Sequence, residues 1–181
     1  MPENVFGLPT HIVLLHIVVV LLPIAAVATI AVVASSWFRH RYGLVVVAAT
    51  FVTTLFVPLT SQAGESLAER LPEAPEIQTH ADVGKQLVIW AAVFGVCLAA
   101  VVLLDVIRRA SAPDLTGAEA WAVARLPSRW RSSTPGWADA VFRVLQVLAV
   151  LVSIGVLVMV IRAGHTGAQA VWVQYPDLQP A

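Results

Sequence analysis

The stretch Leu87–Leu104 reads LVIWAAVFGVCLAAVVLL and carries no polar side chain stronger than Cys97. A helix of about 18 residues, rising about 1.5 Å per residue, approaches the roughly 30 Å hydrocarbon core of a bilayer. The run does not alternate apolar with polar residues, so it does not read as a strand. Three further runs, Ile12–Ala34, Leu44–Leu59 and Val144–Ile161, behave alike. The sequence therefore predicts an all-α integral membrane four-helix bundle. It forms one domain over residues 1–181, with spans at about 12–34, 44–59, 87–107 and 142–162.

Composition agrees. Apolar residues make up 59% of the chain and charged residues 12%, with a formal net charge of zero. A soluble domain carries about twice that charged fraction, and a neutral, membrane-buried chain does not suit nucleic acid. Cys97, the one cysteine, cannot form an internal disulfide and says nothing of redox compartment. The first span has no basic flank before it and no small-residue cleavage site after a short core, so it is expected to remain as a helix.

Lysine and arginine set the orientation. The loop Ser36–Tyr42 carries Arg39 and Arg41, and the segment between spans three and four carries Arg108, Arg109, Arg125, Arg129, Arg131 and Arg143. Between spans two and three there are only Arg70 and Lys85, among Glu65, Glu69, Glu73, Glu76 and Asp82. The positive-inside rule then puts both termini outside and the basic loops in the cytoplasm. Pro23 predicts a kink in span one. Span two is expected to continue as a helix through Arg70, to break at Pro72–Pro75, and to restart near Glu76. Asp114–Ala124 reads as a short helix on the membrane surface, anchored by Trp121, with Trp130 and Trp137 in the same belt. Gly164–Trp172 reads as a segment folded back along the outer surface, followed by a disordered tail from Pro176.

No ionisable side chain falls mid-span, and the polar groups at depth are Thr50, Thr53, Thr54, Gln146 and Ser153. A path for ions or protons ordinarily needs stronger stations. The threonines are expected to bond backbone carbonyls or a neighbouring helix. No nucleophile–base pair stands at a recognisable spacing, which argues against a stand-alone enzyme.

Function is therefore sought at the histidines. His11 and His16 open span one, His80 precedes span three and His165 follows span four, so antiparallel crossings bring all four to the outer side. His40, between Arg39 and Arg41, belongs to the inner basic edge. His11 and His16 lie roughly 140° apart around a helix and about 7.5 Å apart along it, so one ion does not easily take both. His16, the deeper, is the expected buried ligand. His16 and His80 are the first-choice axial pair for haem iron, with His11 and His165 a second pair or a supporting shell. A metal ion would take two or three of His11, His16, His80 and His165 with Glu65. The plain alternative is that these imidazoles only bond headgroups, water or loop carbonyls, and that Glu65 and Glu69 form a solvated face.

His11-x4-His16 at the head of span one resembles the opening motif of a bacterial family of predicted membrane proteins, domain of unknown function 2231. The Gly64-Glu65 region, His80, and the segment Gly164-His165-Thr166-Gly167-Ala168-Gln169-Ala170-Val171-Trp172 fall where that family has its later motifs. The chain departs from the first motif at Ile12 and Ile17-Val18, where the family has prolines and a phenylalanine. The resemblance runs from about His11 to Trp172. It implies a four-span bundle in a bacterial cytoplasmic membrane, with the four histidines as marked positions, and supplies no reaction. The residues themselves suggest an outer-leaflet site for haem b or a transition-metal ion, in a cytochrome b-like component passing electrons to an outer-face redox protein. The rival is an accessory subunit of a larger membrane complex, with lipid and other subunits as partners and no cofactor.

Overall fold

The computed structural model describes residues 4–5, 7–110, 115, 117–128 and 136–172. Four long helices dominate: α1 (Thr10–Ala34), α2 (Ser36–Ala68), α3 (Pro75–Arg108) and α5 (Ala138–Trp172). A short α4 (Gly117–Ala124) lies between α3 and α5. All four long helices are long and apolar enough to cross a membrane. Their 25, 33, 34 and 35 residues correspond to about 37–53 Å of helix, so all four exceed the roughly 30 Å hydrocarbon core, α1 by the least. Ahead of α1, β1 (Asn4–Val5) pairs antiparallel with β2 (Leu8–Pro9) around Gly7, whose φ of 80° suits glycine.

The stretch expected as a loop after span one is helical. Only Ser35 separates α1 from α2, and its hydroxyl accepts from the Phe38 N–H at 3.2 Å. That serine is the N-cap, so the polar residues after it form the first turns of α2. Polarity there marks the edge of lipid and not the absence of a helix. Arg39 then reaches back and donates to the carbonyl of Val32 at 2.9 Å, satisfying an end group of α1.

Pro75 opens α3 at a position where its missing N–H is harmless. Pro23 and Pro58 lie inside unbroken helices. The expected fold-back after span four is absent, because α5 continues through Gly164 and Gly167 to Trp172. Trp121 is exposed on α4, under the Arg125 guanidinium at 3.4 Å from the ring centroid. Trp130 and the tail from Pro176 lie outside the described residues.

α3 packs chiefly on α5, and α1 on α2. The core runs along the bundle through Val18, Leu22, Ala26, Phe94 and Val156 to Leu98 and Val101. Trp90 lies directly on Gly155, where a Cβ would collide with the ring. The outward faces carry exposed Val20, Ile24, Val27, Phe51, Ile89, Val96 and Ile161, a surface suited to lipid. Thr29, Thr53 and Ser153 donate to the carbonyls one turn back at 2.7–2.8 Å, and Gln146 donates to Val33 O at 3.2 Å. Thr50 departs from that pattern: its buried hydroxyl has no hydrogen-bond partner among the described residues.

Candidate functional site

The antiparallel order brings the start of α1, the end of α2, the start of α3 and the end of α5 to one end of the bundle. His11 lies on the last turns of α2, where its Nδ1 sits 2.9 Å from the carbonyl oxygen of Thr60. A carbonyl only accepts, so Nδ1 carries the proton and Nε2 keeps its lone pair. The close approach depends on Gly64, one turn beyond Thr60. A Cβ there would stand 2.9 Å from His11 Cε1 and Nδ1.

His80 is held in the same manner by α5. Its Nδ1 is 3.2 Å from Thr166 Oγ1. That hydroxyl donates within its own helix to Arg162 O at 3.0 Å, which leaves it to accept from Nδ1–H. Gly167 makes room, since a Cβ there would lie 3.1 Å from His80 Cε1. The two rings meet edge to face, with centroids 6.1 Å apart and planes at 80°. With Nδ1 protonated in each ring, both Nδ1 atoms meet an oxygen and Nε2 carries the lone pair; His80 also meets the backbone of Ala163. Metal-ligating histidines ordinarily have this tautomer and this kind of oxygen partner.

The pairing differs from the one expected. His16 is exposed and its Nδ1 bonds its own helix at Ile12 O, 2.6 Å away. His11 is the histidine that meets His80. The two do lie on different faces of α1, but depth along the helix is a poor guide to which faces inward. The buried stripe Val18, Leu22, Ala25, Thr29 and Val32 continues backward at helical spacing to His11 and misses His16. That stripe was the available signal. His165 is exposed, one residue and about 100° of rotation from Thr166. Glu65 is turned from the rings in the same way and pairs with Lys85 at 3.6 Å. Among the described residues, no group of three or more His, Cys, Asp and Glu side chains could hold a metal ion. The structure thus brings two of the candidate ligands together, supported by Thr60, Gly64, Thr166 and Gly167.

The opposite end holds a cluster that sequence reasoning missed. Asp105, 3% exposed, faces Arg39 Nε at 3.1 Å, His40 Nε2 at 3.2 Å and Arg108 Nη1 at 3.7 Å. Arg108 also grips Asp139 at 2.6 and 2.7 Å, and its guanidinium lies 4.2 Å from the Phe142 ring centroid. His40 therefore touches Asp105 within this cluster and is not only part of a basic edge. The signal was Asp105 itself, a lone carboxylate closing an apolar span among arginines.

Four long apolar helices, with imidazoles at one end and guanidiniums at the other, define a multi-pass helical membrane protein. The chain belongs to the family described as predicted membrane protein (DUF2231), whose model matches residues 7–175. No curated protein and no solved structure matches it.

Proposed function

We propose that the protein binds a transition-metal ion between His11 and His80 and presents it at the outer face of a bacterial cytoplasmic membrane. The observation that carries this reading is the shared geometry: both Nδ1 atoms meet oxygens, at 2.9 and 3.2 Å, and in the tautomer with Nδ1 protonated the Nε2 lone pairs serve a ligand. Two imidazoles on one ion, each with a metal–nitrogen bond of about 2.0–2.1 Å, hold their ring centroids about 5–6.5 Å apart, depending on the angle at the metal. The 6.1 Å separation lies in that range. With only two protein ligands, the remaining positions belong to water, substrate or a redox partner, which suits an exchanging or electron-passing site better than a closed structural one.

Haem b fits less well. Both rings lean on helix backbone at Gly64 and Gly167, and a macrocycle inserted between them would have to part the helices. A bare ion needs no such slot.

Outer placement rests on charge. The first turns of α2 and the segment from the end of α3 to the start of α5 carry the arginines, whereas the histidine end has only Arg70, Lys85 and Arg162. His80 lies seven residues before the apolar run at Leu87, about 10 Å along the helix, within reach of the aqueous side.

A second reading, a cofactor-free accessory subunit, is favoured by the absence of ionisable side chains at mid-span. Elemental analysis and oxidised and reduced spectra of the detergent-purified protein separate the two. The metal reading expects bound copper, iron or zinc that is lost in His11→Ala and in His80→Ala and kept in His16→Ala and His165→Ala. A metal-free preparation that stays metal-free after incubation with each ion overturns it, and a Soret band would restore haem.

A further inference from the structure

The histidine site points to a particular ion. His11 and His80 are both half-buried. Among the described residues, no third His, Cys, Asp or Glu completes a metal-holding group with them. Resting on the metal reading above, we infer that the ion they hold is copper(I), ligated by the two imidazoles alone and exchanged through a third, open position. Three observations converge on it.

The first is donor number. Zinc sites in proteins ordinarily draw at least three ligands from the chain. Non-haem iron(II) sites add a carboxylate to two histidines. Two nitrogens make a full set only for a closed-shell monovalent ion such as copper(I), and imidazole suits copper.

The second is charge. Neither ligand is anionic, and Glu65 is drawn off by Lys85 at 3.6 Å. The cost of desolvating an ion rises with the square of its charge, so a monovalent ion costs about a quarter as much to bury as a divalent one.

The third is angle. With each Nε2 about 2.0–2.1 Å from a shared ion, a tetrahedral angle puts the ring centroids about 5.2 Å apart and a linear one about 6.4 Å. The observed 6.1 Å stands near the linear value. A tetrahedral ion would require the rings to close by about 0.9 Å, away from the Thr60 and Thr166 oxygens that hold them.

The test is anaerobic titration of the full chain in detergent with ascorbate-reduced copper, in competition with bicinchoninate, and a parallel titration with zinc. A single copper(I) per chain is expected, held against excess zinc and displaced by silver(I), which shares its preference for two ligands in line. His11→Ala and His80→Ala should each lose it, and His16→Ala should keep it. X-ray absorption of the copper-loaded wild-type chain, which needs no variant to fold, should show two nitrogen neighbours. Zinc that displaces copper(I) from the same two histidines, or a copper shell of four ligands, overturns the inference and leaves the metal reading standing. Copper(I) retained in either alanine variant overturns it as well. A chain that takes up none of the ions overturns both.

Discussion

At one end of the bundle two imidazoles lean on helix backbone, fixed by a carbonyl and a hydroxyl and admitted by two glycines. At the other end, guanidiniums and carboxylates from α2, α3 and α5 close an ion-pair network around Asp105. Both ends place polar groups at the margin of lipid. They differ in what remains unsatisfied. The charged end compensates most of its own charge, so its residues brace the helices against one another. The histidine end holds two imidazole rings by an oxygen contact each at Nδ1, an arrangement that adds little stability and suits the metal ion proposed above. The comparison assigns stability mainly to the charged end and the proposed metal ion to the other.

The largest expected effect tests the bracing. Asp105→Ala leaves Arg39 buried beside no carboxylate, and breaking a buried pair in this way costs about 3–5 kcal/mol. Losing a hydrogen bond such as that between His80 and Thr166 costs about 1 kcal/mol. Thermal or denaturant unfolding in one detergent should rank Asp105→Ala well below His80→Ala. Equal losses would erase the contrast between the ends.

Next comes the glycine that admits His11. Gly64→Ala sets a methyl 2.9 Å from a ring already held by Thr60, so the ring must leave its place. Overpacking of this kind costs about 1–3 kcal/mol, and metal content should fall with it. A Gly64→Ala protein with full metal loading would mean that His11 binds from another position.

Much of this architecture is legible in the sequence. Apolar run length alone locates the four crossings, the break between Ala68 and Pro75 follows from its prolines, and antiparallel counting brings His11 and His80 to one end. Which histidine turns inward is not legible from depth, because a helix rotates about 100° per residue and burial follows the stripe. The helical start at Ser36 is missed because an interfacial helix turn and a loop share the same polar residues. Gly167 reads as a loop signal when it is in fact a gap cut in α5 for an imidazole. The Asp105 network escapes because charges far apart in sequence meet only after the helices pack.

A smaller effect separates positioning from ligation at the histidine end. Thr166→Val removes the acceptor for His80 Nδ1 while keeping the shape of the side chain. Oxygen partners of metal-bound histidines are worth about 10–100-fold in metal affinity. Competition with a graded series of chelators should show that loss, and Thr166→Ser should recover most of it. If valine binds as tightly as threonine, the hydroxyl does not set the tautomer, and the likeness of His80 to His11 is only geometric.

The smallest effect lies at the charged end and checks how that end is held. Ser35 is the whole connection between α1 and α2, and its hydroxyl accepts from Phe38 N–H at 3.2 Å. Removing an N-cap costs about 0.5–2 kcal/mol. Here the low end is expected, because Arg39 independently ties the first turns of α2 to the last carbonyls of α1 and to Asp105. Ser35→Ala should therefore lower stability by about 0.5–1 kcal/mol, and Ser35→Gly by less, since the extended backbone at Ser35 suits glycine as well. Measured in the Asp105→Ala background, the same substitution should become more costly, because the second tie is gone. A cap whose removal costs the same in both backgrounds would show that the turn and the ion pairs act independently. The charged end would then be braced by parts and not as one network.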